Sequence, residues 1–332
     1  MSQLIKTFLV PTLISFAVLI GIFFWGGWGA FALAVLLTIL EVTLSFDNAV
    51  INAKILKQMD EKWQKRFLTW GILVAVFGTR LVLPILIVAA SVAMSPWAIA
   101  KLAAFDPETY GHLLEGAHVA IAAFGGTFLL MVALKYFFDD AKSVHWIRSV
   151  ERHLARWGRI EAIEIGLALL LLLGISFFAG NAGTILSAGT IGIVLFILMQ
   201  GIANSFSFEA EKAVVAGSAA LFLYLNVLDA AFSLDGVIGA FAITSSLPVI
   251  VAGLGIGAYY VRSLTIYFVR QKTLDTLVYL EHGAHWAILG LAGAMLVSLF
   301  YHVPEAITGL VGLVFVGLAA WSSVRQMRKA SS

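Results

Sequence analysis

Glu41-Val42-Thr43-Leu44-Ser45-Phe46-Asp47-Asn48 sets two carboxylates at the far end of a hydrophobic run, since residues 30–40 carry no charge. The pattern returns at Asp229-Ala230-Ala231-Phe232-Ser233-Leu234-Asp235-Gly236, inside an apolar stretch from Ala219 to Ala242 apart from these acids and Asn226. Both copies read acid, two residues, bulky apolar, Ser, one residue, Asp, then Asn or Gly. A charged side chain in the middle of a membrane helix costs roughly 2.5–3.5 kcal/mol on the insertion scale, so acids held there by packing accident are rare. Two matched sets mark the candidate site.

The surroundings of the motifs decide the fold class. Sixty-one per cent of the 332 residues are hydrophobic and only 12% are charged. Apolar runs of about 20 residues, each long enough to cross a bilayer, recur along the chain. Hydropathy predicts an all-α polytopic membrane protein of about ten transmembrane helices, with spans near 8–25, 29–53, 67–94, 112–138, 161–179, 187–207, 213–242, 247–269, 283–301 and 305–323. The only long connection, residues 139–160, carries Lys142, Arg148, Arg152, Arg156 and Arg159 together with Trp146 and Trp157. It reads as a basic, amphipathic connector on an anionic membrane face. The chain thus divides into a first membrane half (1–138), the connector (139–160) and a second membrane half (161–332).

Basic residues fall on one side of this topology. Lys6, Lys54 to Arg66, the connector, Lys212, Arg270, Lys272, Arg325, Arg328 and Lys329 share a side, and the other receives only Lys101. Positive-inside bias then predicts both termini in the cytoplasm, and the expected location is the plasma (inner) membrane. The stretch after Lys6 has no convincing cleavage motif and reads as a retained helix rather than a signal peptide. There is no cysteine, which excludes disulfides and thiolate ligands.

The duplication extends beyond the acids. Each motif is followed by an apolar span with a single arginine, Arg80 and then Arg262. Next comes Leu114-Glu115-Gly116-Ala117-His118, matched by Leu280-Glu281-His282-Gly283-Ala284-His285 with one inserted residue. The motif helices are the second and seventh spans and would cross in opposite senses. That is an inverted-topology repeat, an architecture that places a substrate site near the membrane midplane between the repeats.

On a continuous helix Glu41, Ser45 and Asn48 share a face, as do Asp229, Ser233 and Gly236. Asp47 and Asp235 would point about 120° away. Either they face other helices or the helix unwinds at Asn48 and Gly236, the residue types most tolerant of left-handed backbone. Four carboxylates with hydroxyl and amide oxygens form a hard set suited to Mn²⁺, Ca²⁺ or Mg²⁺. Arg80 and Arg262 suit either counter-charges for the empty site or partners of helix-end carbonyls. Coupling is expected to protons or to the membrane potential; protons fit because crowded carboxylates raise one another's pKa.

Glu41-x-x-Leu44-Ser45-x-Asp47-Asn48 resembles the signature of the TerC family of integral membrane proteins, in its longer branch with a basic central connector. The resemblance implies a multi-helix transporter of the LysE-superfamily type that exports manganese, with calcium as the alternative. It also implies Glu41, Asp47, Asn48, Asp229 and Asp235 as metal-site residues. The second copy departs from the signature by Asp for Glu and Gly for Asn. The cation is cargo, and neither an organic cofactor, an enzymatic activity nor nucleic acid is expected.

Other polar residues have two readings each. Glu115 with His118, and Glu281 with His285, share helix faces and suit a second metal site or proton relay, though polar residues at span ends are cheap. Gln200 and Asn204 suit the pathway or ordinary interhelical hydrogen bonds. Asp139, Asp140, Glu209 and Glu211 read as solvated charges, and Gly125-Gly126 and Gly253-x-Gly255-x-Gly257 as close-packing surfaces. Three other functions remain: efflux of a small organic solute such as an amino acid, intramembrane hydrolysis by paired aspartates, and a membrane partner that supplies metal to secreted proteins.

Overall fold

In a computed structural model of the chain, residues 3–74, 78, 80, 82–205, 212–244, 246–271, 276–301, 303 and 305–330 are described. Among them lie fourteen helices and no strand. Five helical stretches are long and apolar enough to cross a membrane: Thr7–Thr43, His118–Phe137, Ala182–Gly201, Leu247–Arg270 and Leu310–Arg328. Ile163–Phe178 and Gly217–Ser233 are shorter apolar helices.

The first stretch lies in α1 (Gln3–Leu44), which is two legs joined at Gly27, where φ is 70° and ψ −163°. Only glycine adopts that backbone without strain. Contacts with α12 (Leu247–Arg270) show the chain reversing there. Phe8 lies 6.2 Å from Tyr267 and Thr12 Oγ1 3.0 Å from the Tyr260 hydroxyl. In the second leg Thr38 donates to the Gly253 carbonyl at 3.1 Å, and Glu41 lies against Gly257. Rising residue numbers therefore run down α12 in the first leg and up it in the second.

The glycines of α12 allow this approach. A Cβ on Gly253 would meet Leu37 Cβ at 2.6 Å, and one on Gly257 would meet Glu41 Cβ and Cγ at 2.5 Å. Small residues let membrane helices come close enough for dispersion to hold them. Gly125 and Gly126 of α7 (His118–Phe137) do the same against Met295 and Leu296 of α13 (Leu280–Val297). Both glycine sets thus serve packing, as expected from the sequence.

Contacts also sort the helix ends. Lys54, in α2 (Phe46–Leu56), forms an ion pair with Glu281 at the start of α13. Asp60 N donates to Ser218 Oγ near the start of α11 (Lys212–Ile243) at 3.0 Å. Tyr279 N donates to Ser323 Oγ late in α14 (Glu305–Ala330) at 2.9 Å. Lys135 Nζ meets Glu164, in the first turn of α9 (Ile163–Phe178), at 3.1 Å. One end of the bundle therefore gathers Lys54, Lys135, Arg270, Arg325 and Arg328. At the opposite end His118 Nε2 lies 3.3 Å from Ser298 Oγ. That end also carries Phe24, Trp25 and Trp28 around the Gly27 turn, and Phe177 and Phe178, all exposed. Exposed aromatics at helix ends fit the headgroup layer of a bilayer.

Candidate functional site

The first motif straddles an interruption between α1 and α2. Ser45 departs from helical geometry (φ −103°, ψ 14°), although its N–H still reaches the Glu41 carbonyl at 3.0 Å. The second motif lies within the unbroken α11. Neither Asn48 nor Gly236 has positive φ, so the expected left-handed unwinding does not occur there. The two residues have other work. Asn48 Nδ2 donates to Asp229 Oδ1 at 3.0 Å. Gly236 faces the opposite acid: a Cβ there would stand 3.2 Å from Glu41 Oε2. The last residue of each motif thus touches the first acid of the other.

Each of these acids holds an arginine. Arg262 Nη2 bonds Asp229 Oδ2 at 2.7 Å, and its Nη1 donates to the Phe67 carbonyl at 2.9 Å. Its guanidinium also lies over the Phe67 ring, 4.1 Å from the centroid. Arg80 Nη2 pairs with Glu41 Oε1, which also accepts from Ser45 Oγ at 3.0 Å. Arg80 belongs to a stretch of π-helical winding (Val74, Gly78, Arg80, Val82), a feature that re-aims side chains and is frequent at functional sites. Both arginines thus pair with the first acid of a motif, and Arg262 also bonds a backbone carbonyl, so features of both readings are present.

Ser45, Asn48, Asn52, Arg80, Asp229, Ser233, Ala258, Val261 and Arg262 line a cavity of about 10 Å³, close to the space one water needs. Asn52 Nδ2 donates to Asp229 Oδ1 at 2.7 Å. Because a carboxylate only accepts, both asparagines must aim their NH₂ groups at Asp229. Their Oδ1 atoms are then left buried without a partner, as is Ser233 Oγ. Asn52 was not singled out from the sequence, yet its spacing of four from Asn48 puts it on the same helix face.

Asp47 is buried and does not line the cavity; its Oδ1 accepts from the Asn48 N–H at 2.9 Å. The side chain of Asp235 lies outside the described residues, as do those of Asn204, Glu209, Glu211 and Lys272. Among the described residues no three His, Cys, Asp or Glu side chains converge as a metal cluster. Glu115 is exposed 4.0 Å from His112, and Asp139 and Asp140 are exposed. Glu115 and His118 stand at the opposite end of the bundle from Glu281 and His285, so the two pairs form no common site.

Glu281 and His285 belong to a second polar cluster at the basic end. His285 Nδ1 contacts the Glu281 carbonyl at 2.9 Å, and its ring stacks on Tyr136 with centroids 3.5 Å apart. Lys142 Nζ sits 3.5 Å from the centroid of the same Tyr136 ring, and burial lowers its pKa to about 8. Beside them Glu151 of α8 (Arg148–Trp157) is wholly buried. It accepts from His282 Nδ1 (2.7 Å), Trp286 Nε1 (3.0 Å) and the backbone N–H groups of Trp146 (3.0 Å) and Ile147 (3.3 Å). Burial alone would raise its pKa, but these donors bring it down to about 2. Sequence reasoning missed it; the signal available was a single acid in α8, set among Arg148, Arg152 and Arg156.

Long apolar helices, outward aromatics and a charged site sealed among helices define a helical membrane protein. The chain belongs to a family described as protein of unknown function (DUF475), whose profile matches residues 46–330. No curated protein and no solved structure matches it.

Proposed function

We propose that the protein is a membrane transporter that exports a hard divalent cation, Mn²⁺ first and Ca²⁺ or Mg²⁺ as alternatives, by alternating access at the Asp229 cavity. The observation that carries this reading is the set of unpartnered buried oxygens, Asn48 Oδ1, Asn52 Oδ1 and Ser233 Oγ, on residues lining one cavity with a carboxylate. Buried polar atoms are nearly always satisfied, so three such acceptors together ask for a donor or a cation. Oxygen ligands of this kind suit hard ions.

Arg80 and Arg262 act as resident cations. Each neutralises one acid, Glu41 or Asp229, while the site is unloaded. An unpaired buried carboxylate would be costly, and the guanidinium removes that cost until the ion arrives. A cavity of about 10 Å³ favours a dehydrated ion over an amino acid or other organic solute.

The reciprocal contacts Asn48–Asp229 and Gly236–Glu41 support two inverted repeats meeting at the site. Counting α1 as two passes, the other four long apolar helices and the two shorter ones accounts for eight of the proposed ten or so passes. The gathering of basic residues at one end supports cytoplasmic termini in the plasma (inner) membrane. The TerC resemblance agrees with this reading, and protons remain the proposed coupling ion.

Free Mn²⁺ gives a paramagnetic resonance signal that broadens away on binding, which makes titration of purified protein direct. The wild type should bind saturably, and Asp229→Asn should weaken binding by at least about tenfold, or about 1.4 kcal/mol. Equal binding by both proteins overturns the site.

A further inference from the structure

We propose that α8 is a docking surface for anionic lipid headgroups, held in one orientation by Glu151. The inference stands on the connector alone and does not depend on what the membrane site carries.

The connector cannot leave the bilayer surface. It departs after α7 and returns at α9, and the Lys135–Glu164 pair at 3.1 Å joins those two helix ends. Between them the buried Glu151 carboxylate accepts from two side chains of α13 and two backbone N–H groups of its own segment. Ala155, one turn on, is buried on the same face. With one face fixed against the bundle, the remaining faces are presented outward in a defined way.

Those faces are of two kinds. Arg148, Arg152 and Arg156 recur every four residues and form one exposed stripe, continued by exposed Arg159. Val150 and Trp157 lie on the other flank, exposed by 41% and 52%, followed by Ile160 at 57%. A helix with arginines along one flank and Trp and aliphatic side chains along the other is built to lie in an interface, apolar flank toward the acyl boundary and guanidinium groups at phosphate level. Zwitterionic lipid offers such a stripe no net countercharge. Anionic lipid does, and each arginine near its surface is worth about a fivefold shift toward the bound state. A nucleic acid or an acidic protein would use the arginines but leave Trp157 and Val150 unmatched.

The chain has no cysteine, so Ser149→Cys, on the exposed side of α8, gives a unique position for a spin label. The full-length labelled protein is placed in nanodiscs of phosphatidylcholine alone or with phosphatidylglycerol added. Phosphatidylglycerol should slow the label and shield it from a water-soluble relaxation agent, and raised salt should reverse the effect. The triple variant Arg148→Gln/Arg152→Gln/Arg156→Gln should lose the response while the protein still inserts and elutes as wild type. The proposal is overturned by equal label behaviour in the two lipids, or by a lipid response that survives the triple substitution. It is equally overturned if an added oligonucleotide or acidic protein shields the label in phosphatidylcholine discs and phosphatidylglycerol does not.

Discussion

Asp229 is the residue on which the site turns, because three donors, Asn48, Asn52 and Arg262, meet on its two oxygens beside the cavity. Arg262 is specified more tightly than charge alone requires. Its two terminal nitrogens reach different acceptors, Asp229 and the Phe67 carbonyl, while its plane covers the Phe67 ring. Lysine has no such fork and would keep at most one of these contacts. Removing the charge with Arg262→Gln leaves Asp229 buried without its countercharge, which typically costs about 3–5 kcal/mol. If a cation takes the guanidinium's place, saturating Mn²⁺ should restore part of that loss, because a ligand that binds only the folded state stabilises it. A thermal-shift measurement on detergent-solubilised Arg262→Gln should then show a larger upward shift with Mn²⁺ than wild type. The double variant Asp229→Asn/Arg262→Gln should recover stability without responding to Mn²⁺. A single variant that ignores Mn²⁺ would mean that the arginine is structural.

At the scale of elements, the interruption at Ser45 and the continuity of α11 show how two similar motifs fold differently. The sequence made the motif residues visible, since acids in apolar runs are conspicuous, but their contacts depend on helices nearly two hundred positions apart. Asn48 and Gly236 illustrate this. Their shared tolerance of left-handed backbone suggested unwinding, whereas one is there for its amide and the other for its missing Cβ beside Glu41. Asn52 and Glu151 escaped for a related reason: a single polar residue acquires meaning only from what packs opposite. For Glu151 the consequence is a pH dependence. Its pKa falls on folding from 4.5 to about 2, so its anchoring is fully present above pH 4.5 and is lost as pH drops toward 2. A label at Ser149→Cys should therefore stay immobile through mildly acidic pH and loosen only in that lower window. With Glu151→Gln added, the label should be mobile at neutral pH already. Loosening of the wild type near pH 6 instead would place the anchor on another group.

For the whole molecule, the legible part of the fold was its class, its small-residue contacts and the gathering of its basic residues at one end. All three follow from composition along single helices. Pairing was not legible: nothing local tells Arg80 to seek Glu41 across the π-helical stretch, or α8 to dock through an acid. In the resulting arrangement both halves reach the Asp229 cavity, with each motif's last residue against the other's first acid. Under the proposed alternating access, movement of one half against the other would separate those two contacts, whereas Glu41–Arg80 and Asp229–Arg262 each lie within one half and would stay paired until an ion displaces the guanidinium. The measurement that tests this account most directly is Mn²⁺ uptake into everted proteoliposomes bearing wild type, Glu41→Gln or Asp229→Asn, each verified as folded and inserted. The account predicts saturable uptake by wild type and its loss in both variants. Uptake by both variants at the wild-type rate would contradict it, and would leave the two acid–arginine pairs as clasps between helices.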